Sequence, residues 1–296
     1  MARAAQEEMK NKRQDTNDIY NQDAGFVDAV NAGMNNDYSA VAQNTVSAAP
    51  FNDKSAASGP LLSVSGVEMK YTGAHALRGV NFSIGPGRIV GLLGPNGSGK
   101  TTLMKVIACL LTPAAGSVAY PGGAARGVSS KMSVAFLPDT LVFPDYMKTR
   151  DAFKYYSDMY PDYSEKRAAE MIRILDLGGA MGSRIKKLSK GMQERVAFGV
   201  TMSRETSVYL LDEPLGGVDP LGKSKIIDAI LAMPLGGSSI VISTHLVKDM
   251  ERIFDGVLFL SKGKIVFAGE CDDMREVNGK TIEQAYLEVF ANEEPV

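Results

Sequence analysis

The chain has 296 residues, 45% of them hydrophobic and 22% charged, with a formal net charge of −2. That is enough apolar material for one large domain or two modest ones. The near-neutral charge argues against an electrostatically driven nucleic-acid binder, which carries a basic surplus.

Residues 1–59 are rich in Asn, Asp, Gln, Ala and Ser and close on Ser55-Ala56-Ala57-Ser58-Gly59-Pro60. This composition buries too little apolar surface to offset ordering, so a disordered extension is expected. Phe26, Val30, Met34 and Tyr38 recur four apart, with Val41 following. They form a weak amphipathic stripe that offers a docking helix as the other reading, against which Gly33 and the Asn residues count. The domain proper is expected over 60–296.

From Leu61 the texture is globular. Leu61–Met69 and Val80–Ile84 read as strands, followed by a turn at Gly85-Pro86-Gly87. Arg88–Leu93 is a short apolar run that predicts a buried strand, and Thr101–Ala108 predicts a helix. Between them lies Gly94-Pro95-Asn96-Gly97-Ser98-Gly99-Lys100-Thr101-Thr102, which is G-x-x-x-x-G-K-S/T. In such a loop the glycines let backbone N–H groups converge on phosphate oxygens. Lys100 brings an ammonium to the β- and γ-phosphates, and the Thr101 hydroxyl is a Mg²⁺ ligand. The helix start adds its dipole to the anion site. The motif alone says that ATP or GTP binds.

Further on, Ser117–Tyr120 and Met132–Leu137 read as short strands. Residues 149–187 are helical in pattern, with Ala152, Tyr155, Tyr156 and Met159 as one stripe and Ala169, Ile172, Ile174 and Leu175 as another. Leu188-Ser189-Lys190-Gly191-Met192 opens a helix over Gln193–Met202, with Ser189 as a good N-cap at a second anion site. Val208–Leu211 and Ser239–Ile242 are continuous apolar strands suited to a parallel sheet covered on both faces. The first ends in Asp212-Glu213: one carboxylate to hold Mg²⁺ and one to polarise the attacking water. The second leads into Thr244-His245, where the imidazole either contacts a γ-phosphate or is incidental, as a lone histidine after a strand often is. Gly217-Val218-Asp219-Pro220 is a turn. Gly256–Leu260 and Lys264–Ala268 predict a hairpin around Ser261-Lys262-Gly263, and Thr281–Phe290 a last helix. The alternation of strands and helices predicts an α/β class. Cys109 and Cys271 stand in no paired motif; Cys109 reads as a small core residue, and the natural compartment is a reducing cytosol. No apolar run approaches 18 residues and no signal pattern opens the chain, so a membrane link is expected only through a partner.

Each motif is modest alone. In this order and spacing they resemble the nucleotide-binding subunit of ATP-binding cassette (ABC) transporters, from about Leu61 to the C-terminus. The resemblance implies a P-loop NTPase core with an antiparallel β subdomain and an inserted helical subdomain at about 140–205. Residues 94–102 become Walker A, Leu210–Glu213 Walker B, Leu188–Met192 the signature motif, Gly217–Pro220 the D-loop and His245 the switch histidine, while Tyr71 matches the aromatic that stacks on adenine. It implies Mg-dependent ATP hydrolysis, with Glu213 as base and His245 as γ-phosphate sensor. ATP would be sandwiched between Walker A of one subunit and Ser189, Lys190 and Gly191 of another, in a homodimer or heterodimer. It also implies a separate membrane permease on whose cytoplasmic side the subunit sits, and the look is nearest to drug, bacteriocin or lantibiotic exporters.

Two positions depart from the family pattern. Asp139 stands where Gln is usual, which suggests a direct Mg²⁺ ligand with added negative charge. Lys190-Gly191-Met192 stands where Gly-Gly-Gln is common; Lys190 either meets a partner's phosphate or points to solvent. Phe143, Tyr146 and Met147 either line a groove for the permease or fill the junction between subdomains. Two other classes compete: a soluble ABC ATPase acting on nucleic acid or ribosomes, and a catalytically quiet regulatory module. The single cassette and the charge count against the first, Glu213 and His245 against the second. A plain P-loop kinase or GTPase would not account for Leu188–Met192 and Thr244-His245 together, and no Asn-Lys-x-Asp selects guanine.

Overall fold

The structure is a computed structural model that describes residues 50–51, 59–121, 123–124, 132–140 and 142–291. These all belong to one folded unit, 48–296. The weak stripe at 26–41 lies outside the described residues.

Two sheets carry the fold. The first has five strands in the order β1-β3-β2-β5-β6: β1 (Pro50–Phe51), β2 (Leu62–Tyr71), β3 (Ala74–Ile84), β5 (Ala115–Tyr120) and β6 (Gly123–Ala124). Apart from the short parallel β1–β3 contact its pairs are antiparallel, so this is the expected β subdomain. Pro50 and Phe51, read as part of the extension, pair with Ser83 and Ile84. β3 begins six residues before the predicted strand, because the turn lies at Thr72-Gly73 rather than upstream of Val80.

The second sheet has the order β11-β10-β4-β9-β8-β7, with β4 (Ile89–Leu93), β7 (Val134–Leu137), β8 (Val208–Asp212), β9 (Ser239–Thr244), β10 (Gly256–Ser261) and β11 (Lys264–Glu270). Every pair is parallel except the β10–β11 hairpin, which matches the predicted one. β4, β8, β9 and β10 are buried at every residue, as strands covered on both faces must be. Alternate residues feed two cores. Val90, Leu92, Leu210, Val241 and Leu258 join α1 (Lys100–Ile107) and the first sheet. Leu93, Tyr209, Leu211, Ile242 and Phe259 join the helices of the opposite face. Each Leu or Ile so buried contributes about 1.5–3 kcal/mol.

The helical region comprises α2 (Thr149–Met159) and α3 (Glu165–Ile174), then short 3-10 turns at Gly178–Ala180 and Ile185–Lys187. It docks on α4 (Lys190–Met202), where Phe153, Leu175 and Leu177 close around Gly199. The 149–187 pattern is not one continuous run. Pro161 disfavours helical geometry at Tyr160, and α2 stops there. The buried faces also differ from those stripes. Ala152, Phe153, Ala168 and Met171 point inward, while Tyr155, Met159 and Ala169 are exposed. Residues 149–174 pack on one side only, so a short break resets which face is inside.

The remaining helices are α5 (Pro220–Leu231), the four-residue α6 (Val247–Met250), α7 (Cys271–Asn278) and α8 (Ile282–Phe290). Asp219 caps α5 by accepting from Gly222 N, and Thr281 caps α8 by accepting from Gln284 N. Cys271 is buried. Cys109, expected in the core, is half-buried in a left-handed turn after α1. Among the described residues no helix is long and apolar enough to cross a membrane.

Candidate active site

Strand register brings the motifs together. Leu93 on β4 pairs with Thr244 on β9, and Asp212 on β8 pairs with Ser243 on β9. Leu137 on β7 pairs with Leu211, so Asp139 leaves the same edge two residues later. Parallel strands deliver their C-terminal ends to one side, where ligands of such sheets bind. The cavity there, about 410 Å³, is lined by Ala76, Asn96, Gly97, Gly99, Lys100, Thr101, Thr102, Asp139, Glu213, Gly216 and His245.

The phosphate loop is held from beneath. A Cβ on Gly94 would run into the carbonyl of Leu260 and come within 2.9 Å of Ser98 Oγ, so only glycine fits. Gly99 takes a left-handed φ of 111° and starts α1. Lys100 is 7% exposed, and its Nζ donates to Gly94 O at 2.7 Å and Pro95 O at 3.0 Å. Burial holds its pKa below the ordinary lysine value, against the opposing pull of Glu213 and Asp212.

The two carboxylates behave differently. Asp212 is 1% exposed. Its Oδ1 accepts from the Ser243 hydroxyl, and its Oδ2 has no hydrogen-bond partner. A buried carboxylate oxygen without a donor is costly unless a cation meets it. Thr101 and Asp139 line the cavity while Asp212 lies behind its wall; a hydroxyl and carboxylates are the donor types Mg²⁺ takes alongside phosphate and water. Among the described residues no three His, Cys, Asp or Glu side chains gather into a metal cage.

Glu213 sits at φ 51°, a left-handed conformation a non-glycine residue rarely holds. Its N–H donates to Ser243 O at 3.0 Å and lies 3.2 Å from Ser243 Oγ, and its carbonyl accepts from Gly216 N at 2.9 Å. These contacts turn the side chain off the sheet edge into the cavity. His245 Nδ1 lies 2.9 Å from Glu213 Oε2 with the imidazole half exposed. The pair stands at ion-pair distance without hydrogen-bond alignment. Ser243, Ala76 and Gly216 carry no signal in the sequence as site residues. Ser243 was legible only as the residue before Thr244-His245, and its role follows from register opposite Asp212.

Not every expected residue lines this cavity: Gly94, Pro95, Ser98 and Asp212 are not on its wall. Tyr71 ends β2 and is 46% exposed, outside the lining. Ser189 caps α4 by accepting from Met192 N at 3.3 Å, and it too lies outside, with Lys190 and Gly191. Lys190 is exposed at the start of α4. Its side chain runs over Gly217 of the same chain, where a Cβ would stand 2.7 Å from Nζ. One turn on, Glu194 is held above the usual carboxylate range by burial first, with Lys190 pulling it down and Asp139 pushing it up. α4, the Asp139 loop and the 217–220 turn therefore share one electrostatic neighbourhood.

The family model described as "ABC transporter" matches residues 77–216. An uncharacterized ABC transporter ATP-binding protein of Bacillus subtilis (strain 168) is 29% identical over 237 residues, 79% of this chain and 76% of that protein. A daunorubicin resistance ATP-binding protein of Streptomyces coeruleorubidus is 25% identical over 223 residues, 74% of this chain and 71% of that one. The match spans only 56% of the length of a relative from Synechocystis sp.. Among solved structures, an ATP binding subunit of an ABC transporter superposes with a TM-score of 0.71 at 27% identity, covering 77% of this chain and 99% of that one. The phosphate loop, the paired carboxylates and the histidine thus meet on one sheet edge, and the chain carries an ABC transporter domain over residues 77–216 and is similar to ATP-binding proteins of ABC transporters.

Proposed function

We propose that this protein hydrolyses ATP and that hydrolysis drives transport through a separate membrane permease. The observation that carries the reading is the convergence of Lys100, Asp139, Glu213 and His245 on one cavity at the strand ends. Glu213, turned into that cavity by its left-handed backbone, takes the proton of the water that attacks the γ-phosphate. His245 stands beside it to contact the γ-phosphate and to hold the carboxylate. Lys100 and the backbone of residues 94–102 bind the phosphates, and Tyr71 offers a face to the adenine. Mg²⁺, when bound, neutralises charge on the β- and γ-phosphates, and Thr101, Asp212 and Asp139 would hold it.

Ser189, Lys190 and Gly191 lie outside the chain's own cavity, which supports their use on ATP bound by a second subunit, identical or not. Neither surface alone neutralises the triphosphate, so ATP joins the two and hydrolysis releases them. Val142 and Tyr146 are 81% and 74% exposed beside half-buried Phe143 and Met147. This supports a permease-docking surface along the Asp139–Asp145 loop, with the protein held at the cytoplasmic face of the membrane. No feature of the site favours nucleic acid.

The test is phosphate release by the purified full chain in Mg·ATP. Glu213→Gln should cut kcat by about 100-fold or more while ATP binding is kept and the ATP-loaded protein elutes as a dimer. Hydrolysis near the wild-type rate in that variant would overturn the assignment.

A further inference from the structure

His245 sits on a segment with little stability of its own. It leaves β9 and enters α6, which has four residues and no side-chain cap at Leu246. So short a helix must be held by its surroundings. Val247 and Met250, 5% and 0% exposed, fix one side. Leu246 N donates to the Thr244 hydroxyl at 2.9 Å, and an ion pair adds a further support: Lys223 Nζ lies 2.6 Å from Asp249 Oδ2, with side chains 27% and 39% exposed.

Lys223 lies in the first turn of α5, and its N–H donates to Asp219 O at 2.9 Å. A cation there opposes the helix dipole, and the Asp249 carboxylate offsets that local cost. At the start of α5 is the 217–220 turn, and the residue before it, Gly216, donates to Glu213 O at 2.9 Å. The contacts therefore close a ring within one chain. Glu213 leads through the turn to Asp219, then to Lys223, Asp249 and α6, and so to His245, which returns to Glu213 at 2.9 Å.

We infer that Lys223 and Asp249 are a positioning pair for hydrolysis: their ion pair holds His245 against Glu213 and makes that alignment respond to the 217–220 turn. The inference rests on the ATPase reading above. Neither side chain touches the nucleotide cavity, so the pair acts through His245 and its loss falls on turnover rather than on ATP binding.

Steady-state ATPase kinetics on the full chain test this, with wild type and Glu213→Gln in the same assay. Lys223→Met and the nearly isosteric Asp249→Asn should each lower kcat about tenfold with KM for ATP changed by less than about twofold. The double variant should lose no more than either single one, and Lys223→Arg should restore most of kcat. A purely structural pair would lower the melting temperature and leave kcat unchanged below it. That result, or losses that simply multiply in the double variant, would overturn the positioning role while leaving the ATPase reading intact. A wild-type protein with no Glu213-dependent phosphate release would instead bring down the ATPase reading itself.

Discussion

Asp139 illustrates how one side chain serves more than one neighbour. It lines the nucleotide cavity beside Thr101 and Glu213, yet it also raises the pKa of Glu194 on α4. Gln would keep the oxygen ligand and lose the charge. Asp139→Gln should therefore raise the Mg²⁺ concentration needed for half-maximal ATPase about tenfold, with kcat at saturating metal nearly kept. A magnesium titration of the variant checks this, and an unchanged midpoint removes Asp139 from the ligand set. Lys190 makes the same point differently: its stem lies along Gly217, so a substitution there perturbs the 217–220 turn of its own chain as well as any charge it offers elsewhere.

At the scale of elements, the helical region is joined to the sheet by a buried polar network as well as by apolar packing. Arg204, 4% exposed just after α4, meets both carboxylate oxygens of Asp162, at 3.0 and 2.8 Å. It also donates to Val134 O on β7 at 2.8 Å and lies 4.1 Å over the Tyr160 ring. Arg167 from α3 reaches Arg204 O at 2.9 Å and the hydroxyl of Tyr209 on β8. The loop that separates α2 from α3 is thus the one that ties the helices to β7 and β8. Removing one partner strands a buried charge, so Asp162→Ala should cost about 3 kcal/mol, read as a lower midpoint in urea unfolding. A midpoint matching wild type would show the Arg204 charge to be satisfied without Asp162.

At the scale of the whole molecule, several groups that ionise in alkali are held neutral by burial. The Tyr156 phenol and the Cys271 thiol are both pushed up to about 12, and the Tyr120 phenol is raised further by burial and then by Cys109. The unfolded chain releases these protons near pH 10 for tyrosine and about 8.5 for cysteine. The folded state then binds more protons, so stability is fully present below those values and falls as pH rises toward 12. Guanidinium unfolding at pH 8 and pH 10.5 should show a clear drop in midpoint, shallower in Tyr120→Phe. Equal midpoints at the two pH values would contradict this account.

Residues contiguous in the chain were legible before any fold was known. The phosphate loop, the Asp212-Glu213 strand end, the Ser189 cap and the apolar strands of the second sheet each carry their physics in a short run, because glycine spacing, helix capping and strand burial are local properties. Their order along the chain was enough to point to the family. What the tertiary structure alone decided is what depends on proximity through space. Ser243 opposes Asp212 only through register, Lys190 folds over Gly217, Arg204 reaches Asp162 across 42 positions, and Lys223 meets Asp249 across 26. Side chains so far apart in sequence leave no periodic trace. Their pairing is set by strand order and by where a loop happens to bring a helix, which a linear pattern does not encode.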